Sequence, residues 1–114
     1  MVEIFAGKFV AFRDMTTLMI DAARVGRSDM IQSILDDNPD IDINAKNFKG
    51  ESALISAAKS GNLEALKILI KNDGSCLEYA ICDNKGNTAL HHAAKHGHLD
   101  ILELLFSKFV SIIT

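Results

Sequence analysis

Apolar positions in this chain come in paired bursts separated by a glycine. In ESALISAAKSGNLEALKILI, residues 51 to 70, an alanine-rich segment runs to Gly61. A second segment follows, whose Leu63, Leu66, Leu69 and Ile70 fall at the three- and four-residue steps of one helix face. NTALHHAAKHGHLDILELLF, residues 87 to 106, lies over it, with Leu99, Leu102, Leu105 and Phe106 as the stripe. TTLMIDAARVGRSDMIQSIL, residues 16 to 35, is a more worn copy. Gly26, Gly61 and Gly97 superpose, as do the pairs Ala22–Ala23, Ala57–Ala58 and Ala93–Ala94. The pattern predicts a pair of short helices, repeated.

Local chemistry agrees with that period. Thr17, Ser52 and Thr88 stand where a hydroxyl accepts from a free backbone N–H at a helix start. The three glycines end the first helices, because glycine enters the left-handed conformation without a Cβ penalty. Asn62 is placed to cap the second helix of the middle copy, and Asp29, Glu64 and Asp100 sit in first turns, where the helix dipole favours acids. Two short helices cannot bury their stripe alone, so the units must stack.

GNTALHHAAKHGHL, from Gly86 to Leu99, and GESALISAAKSGNL, from Gly50, resemble the ankyrin-repeat signature. The likeness extends over residues 12 to 107 and is weakest in the first copy, where Met15 replaces the turn glycine, Asp21 enters the first helix and Ser28 replaces a leucine. A terminal repeat with one unpartnered face can wear in this way. The implied fold is all-α: an ankyrin-repeat solenoid of helix-turn-helix units with short finger loops. It forms one domain, with residues 1–14 as a cap or partial repeat and repeats at 15–46, 47–82 and 83–114. In the cap, whose helical or extended state the pattern leaves open, Phe5, Phe9, Val10 and Phe12 are the expected apolar contacts.

The four histidines all fall within HHAAKHGH, residues 91 to 98, which raises metal binding or acid–base chemistry. The repeat supplies a simpler account. His91 follows Thr88 by three positions, as in a capping box, and Ile20 and Ile55 occupy its place elsewhere. His96 and His98 flank a helix-ending glycine, and only His92 and His96 have the spacing of a helical metal pair. No metal or other cofactor is expected. The acidic run Asp36, Asp37, Asp40 and Asp42 lacks the glycine and terminal glutamate of a calcium loop and reads as a solvated connection.

No nucleophile–base pair, phosphate-cradling loop or hydrolase motif occurs, so the chain is read as non-enzymatic. Cys76 and Cys82 are too few for a secreted disulfide scaffold and lack zinc-ribbon spacing, which suits an intracellular, cytoplasmic setting. They lie in the long connection KNDGSCLEYAICDNKG, residues 71 to 86, taken as a tolerated surface loop. No stretch reaches the roughly 18 apolar residues of a membrane span. The net charge of −3 argues against nucleic acid as the partner.

The resemblance implies a concave face built from finger tips and the last turns of the first helices. On that mapping the partner-binding residues are Arg13, Arg24, Lys46, Phe48, Lys49, Lys59, Asn84, Lys85, Lys95 and His96. Seven of the twelve basic residues belong to the face, which is therefore expected to be positive and to steer an acidic protein partner. Phe48 is either an anchor for that partner or folded back onto Ile43 or the adjacent finger. An alternative function is the targeting segment of a larger enzyme or effector. FSKFVSIIT, residues 106 to 114, stays apolar. Folding back over the last helix pair, or continuation into a longer array, is preferred there to self-association.

Overall fold

The computed structural model describes residues 3–5, 8–10, 15–72 and 77–113, with side-chain surroundings for 15–72 and 77–108. An antiparallel hairpin comes first: β1 (Glu3–Phe5) pairs with β2 (Lys8–Val10), Ile4 opposite Phe9. The N-terminal segment is thus extended. Its apolar side chains, with those of Phe12, Arg13, Cys76 and residues 109–114, lie outside the side chains described.

Three helix pairs follow: α1 (Met15–Val25) with α2 (Ser28–Asp37), α3 (Ala53–Ser60) with α4 (Leu63–Lys71), and α5 (Ala89–Lys95) with α6 (Leu99–Ile113). First helices stack on first helices, α1 on α3 on α5, and second helices on second helices, α2 on α4 on α6. Alanine makes this spacing possible. Ala53, Ala57, Ala58 and Ala65 have no exposed surface, and neither do Leu54, Ile55, Leu66 and Leu69 around them. The middle pair is covered from both sides.

Helix ends follow the repeat chemistry with two exceptions. Ser52 Oγ accepts from Ile55 N at 3.3 Å, and Thr88 with His91 forms the full capping box. Gly26, Gly61 and Gly97 take positive φ, between 72° and 82°. Thr17, however, lies inside α1, which starts two residues earlier at Met15. Asn62 does not cap α4. Its Nδ2 instead donates back to the preceding repeat, to Ala23 O at 2.6 Å and Arg24 O at 3.0 Å, where the last carbonyls of α1 lack helical donors. His98 holds the corresponding position and meets Lys59 O at 3.3 Å. Its role is therefore to join repeats, more than merely to flank a glycine.

Two further expectations are corrected. The connection before the third repeat is not simply a tolerated loop, because Leu77 and Tyr79 are each 8% exposed and join the core, as Ile43 does in the connection before. The chain after Phe106 does not fold back: its backbone continues α6 to Ile113. Asn38 and Asn72 close α2 and α4, each donating its side-chain amide to a carbonyl four residues earlier at 2.8 Å. Lys108 and Phe109 stand at the matching places in α6, and the helix runs on.

Candidate functional site

The second finger, before α3, and the third, before α5, are tight turns, each built on one side chain. Asn47 Oδ1 accepts from Lys49 N and Glu51 N, both at 2.9 Å, and Asp83 Oδ1 accepts from Lys85 N and Asn87 N, both at 2.9 Å. Such side-chain turns hold a short loop without secondary structure. The fingers are then tied together. Asn84 N donates to Lys49 O at 3.1 Å, Asn84 Nδ2 to Phe48 O at 3.0 Å, and Lys46 Nζ to Cys82 O at 2.8 Å. Two of the expected partner-binding residues, Lys46 and Asn84, thus already serve the scaffold.

Between these fingers and the ends of α3 and α5 lies a cleft of about 460 Å³. Phe48, Lys49, Lys59, Asn84, Lys85, Lys95 and His96 line it together. Lys46 and Arg24 do not; Arg24 is exposed on α1, with Asp21 at 3.6 Å. Arg13 lies outside the described residues. Phe48 is 87% exposed and does not fold back, and Lys49 Nζ stands 5.9 Å from its ring centroid, a cation–π distance.

Two carboxylates line the cleft as well. Buried Glu51 accepts from Lys59 Nζ at 3.0 Å, so one of the four lysines is already matched. Asp83 Oδ2 meets His92 Nε2 at 2.9 Å, both side chains less than a tenth exposed. Burial opposes the Asp83 charge, but the His92 ring and the Asn87 and Lys85 amides outweigh it and set its pKa at about 2. Asp83 is therefore ionised at neutral pH, and the His92 Nε2–H donates to it. Among the described residues no carboxylate pairs with Lys49, Lys85 or Lys95. The lining keeps an excess of two positive charges, less than basic residues alone suggest.

The histidines divide by role. His91 caps α5, His98 ties repeats, and His92 fixes the third finger; His96 alone is exposed to the cleft. Its ring stacks on His92 at 5.9 Å and on His98 at 6.0 Å. Loss of water, then the charges of His92, Lys95, His98 and Lys59, hold its pKa below the ordinary histidine value. Sequence reasoning missed the Asp83–His92 pair. The available signal was that Asp83 stands three residues before its finger glycine, as Asn47 does.

A stack of helix pairs with projecting fingers and a concave polar cleft defines a repeat scaffold for binding. The family model for ankyrin repeats, in three copies, matches residues 13–113, and the chain belongs to that family. Ankyrin repeats are generally protein–protein interaction modules, and such domains are typically non-catalytic. No curated protein matches the chain. Among the described residues no helix is long and apolar enough to cross a membrane, and no group of three or more His, Cys, Asp or Glu is placed to hold a metal.

Proposed function

We propose that the chain binds a protein partner by an acidic segment laid in the cleft between the second and third fingers. The observation carrying this reading is that Lys49, Lys85 and Lys95 converge on one concavity while no carboxylate among the described residues pairs with them. Charges held near one another on a rigid surface repel, and an incoming carboxylate relieves that repulsion. Phe48 at the edge of the cleft, 87% exposed, gives the same partner an apolar surface to cover. Glu51 and Asp83 organise the site from below: one holds Lys59, the other the turn that presents Lys85.

The test compares wild-type chain with Lys49→Glu/Lys85→Glu/Lys95→Glu in capture from a cell lysate, after melting curves show that both fold. Lys59 is left alone, because reversing it beside buried Glu51 would destabilise the fold and confuse the readout. A protein retained by wild type alone, released by salt and carrying an acidic segment whose removal abolishes capture, supports the proposal. Identical captures refute it.

A further inference from the structure

The repeat permits a comparison of one surface in three states. Met19, Ala23 and Ile31 of the first pair are 0% exposed beneath the second, and Leu54, Ala58 and Leu66 of the second are 0% exposed beneath the third. Their counterparts in the third pair, Leu90, Ala94 and Leu102, are half-buried or exposed. They surround a hollow of about 550 Å³ with Phe106, itself 60% exposed. Gly26 and Gly61 tell the same story. A Cβ on either would meet Asn62 or His98 of the next repeat within about 3 Å, whereas one on Gly97 meets nothing within 4 Å. This face has the form of a covered stacking surface and lies open.

We propose that a second copy of this chain covers it, α6 against α6 about a two-fold axis. One observation favours a copy over a further helix pair delivered by the same chain, and two more fit a copy. The asparagine that stops α2 and α4, and lets the chain turn toward the next finger, is missing in α6, which runs past that point to Ile113. The open line on α6, Leu99 at 71% exposure, then half-buried Leu102 and exposed Phe106, steps by three and then four, and the sequence continues that spacing with Phe109 and Ile113. Alternating steps of three and four, which Leu63, Leu66 and Ile70 also take on α4, match the seam along which two α-helices pack. Finally, a knob and a hollow occupy the same face. A two-fold interface needs this arrangement, since each Phe106 can enter the hollow beside its mate's Ala94 and Leu90. His91 and Glu103 form the polar rim.

The patch is small. Helix α6 is 15 residues, about 22 Å long, and the face is about two helix diameters wide, which lies below the roughly 800 Å² per partner of a standard interface. A dissociation constant on the order of 10 µM is expected. The experiment is sedimentation equilibrium on the full chain from about 1 µM to about 500 µM, a range that brackets that value. Mass should rise from 12.4 kDa to twice that and stop. Phe106→Glu and, separately, Leu99→Glu should each weaken pairing by roughly thirtyfold or more, with unchanged circular dichroism and melting temperature when measured well below the dissociation constant. Phe48→Glu, on the concave side, should pair like wild type. A wild type that stays at one chain mass throughout overturns the proposal. So does pairing by both α6 variants at wild-type strength, and so does mass that climbs past two chains, the mark of head-to-tail stacking.

Discussion

Gly50 and Gly86 occupy the same place in successive fingers, with φ of 77° and 81°, yet their surroundings differ. A Cβ on Gly50 would strike the Asn84 side-chain oxygen and lie 2.7 Å from Asn84 N, while one on Gly86 meets nothing within 4 Å. Alanine at either site incurs the left-handed penalty, about 1 kcal/mol after the gain from a stiffer unfolded chain. At Gly50 it also pushes Asn84 away and breaks its bonds to Lys49 O and Phe48 O. Each is worth about 1 kcal/mol, so Gly50→Ala should cost about 3 kcal/mol and Gly86→Ala about 1. At about 4 °C per kcal/mol, melting should drop by about 12 °C and 4 °C respectively. Urea titrations at low micromolar concentration, followed by helix signal, measure both, and Gly61→Ala against Gly97→Ala repeats the comparison at the helix ends. Because backbone strain is common to each pair, the difference isolates contact between repeats. Equal losses within each pair would refute the claim that the next repeat fills the space over these glycines.

Leu66→Ala should cost about 3 kcal/mol, since the side chain has no exposed surface, and Leu90→Ala about 1, since its face is open; urea midpoints distinguish them. Asn62→Ala removes two bonds to α1 and should cost about 2 kcal/mol, while Asn62→His, the residue the next repeat uses, should recover part of that in the same assay. Asp83 has a folded pKa of about 2, below its ordinary 3.8, so as pH falls the unfolded chain takes up this proton first. Its contribution is complete above about pH 5 and is lost on descending through pH 4 to 2. Wild type should therefore lose more stability than Asp83→Asn over that window, measured by acid titration of the melting temperature. Asparagine can still hold the turn, as Asn47 does.

The period of alanines, leucines and glycines determined the helix pairs, because a helix that cannot bury its stripe alone writes that need into every copy. It also determined the capping box at Thr88 and His91, whose partners are three residues apart. Most of the cleft lining was legible for the same reason, since finger tips recur at a fixed place in each unit. Contacts between units were not. Asn62 looks like a cap for its own helix, and only the stacking distance shows that carbonyls of the preceding repeat are nearer. Lys46 and Asn84 look free until the fingers are side by side. Glu51 and Asp83 reduce the positive charge of the cleft because folding buries them beside Lys59 and His92, and a count of lysines carries no information about burial. Sequence spacing fixes what lies within about one helical turn, whereas hydrogen bonds across 36 to 39 residues depend on where tertiary packing sets one repeat upon the next.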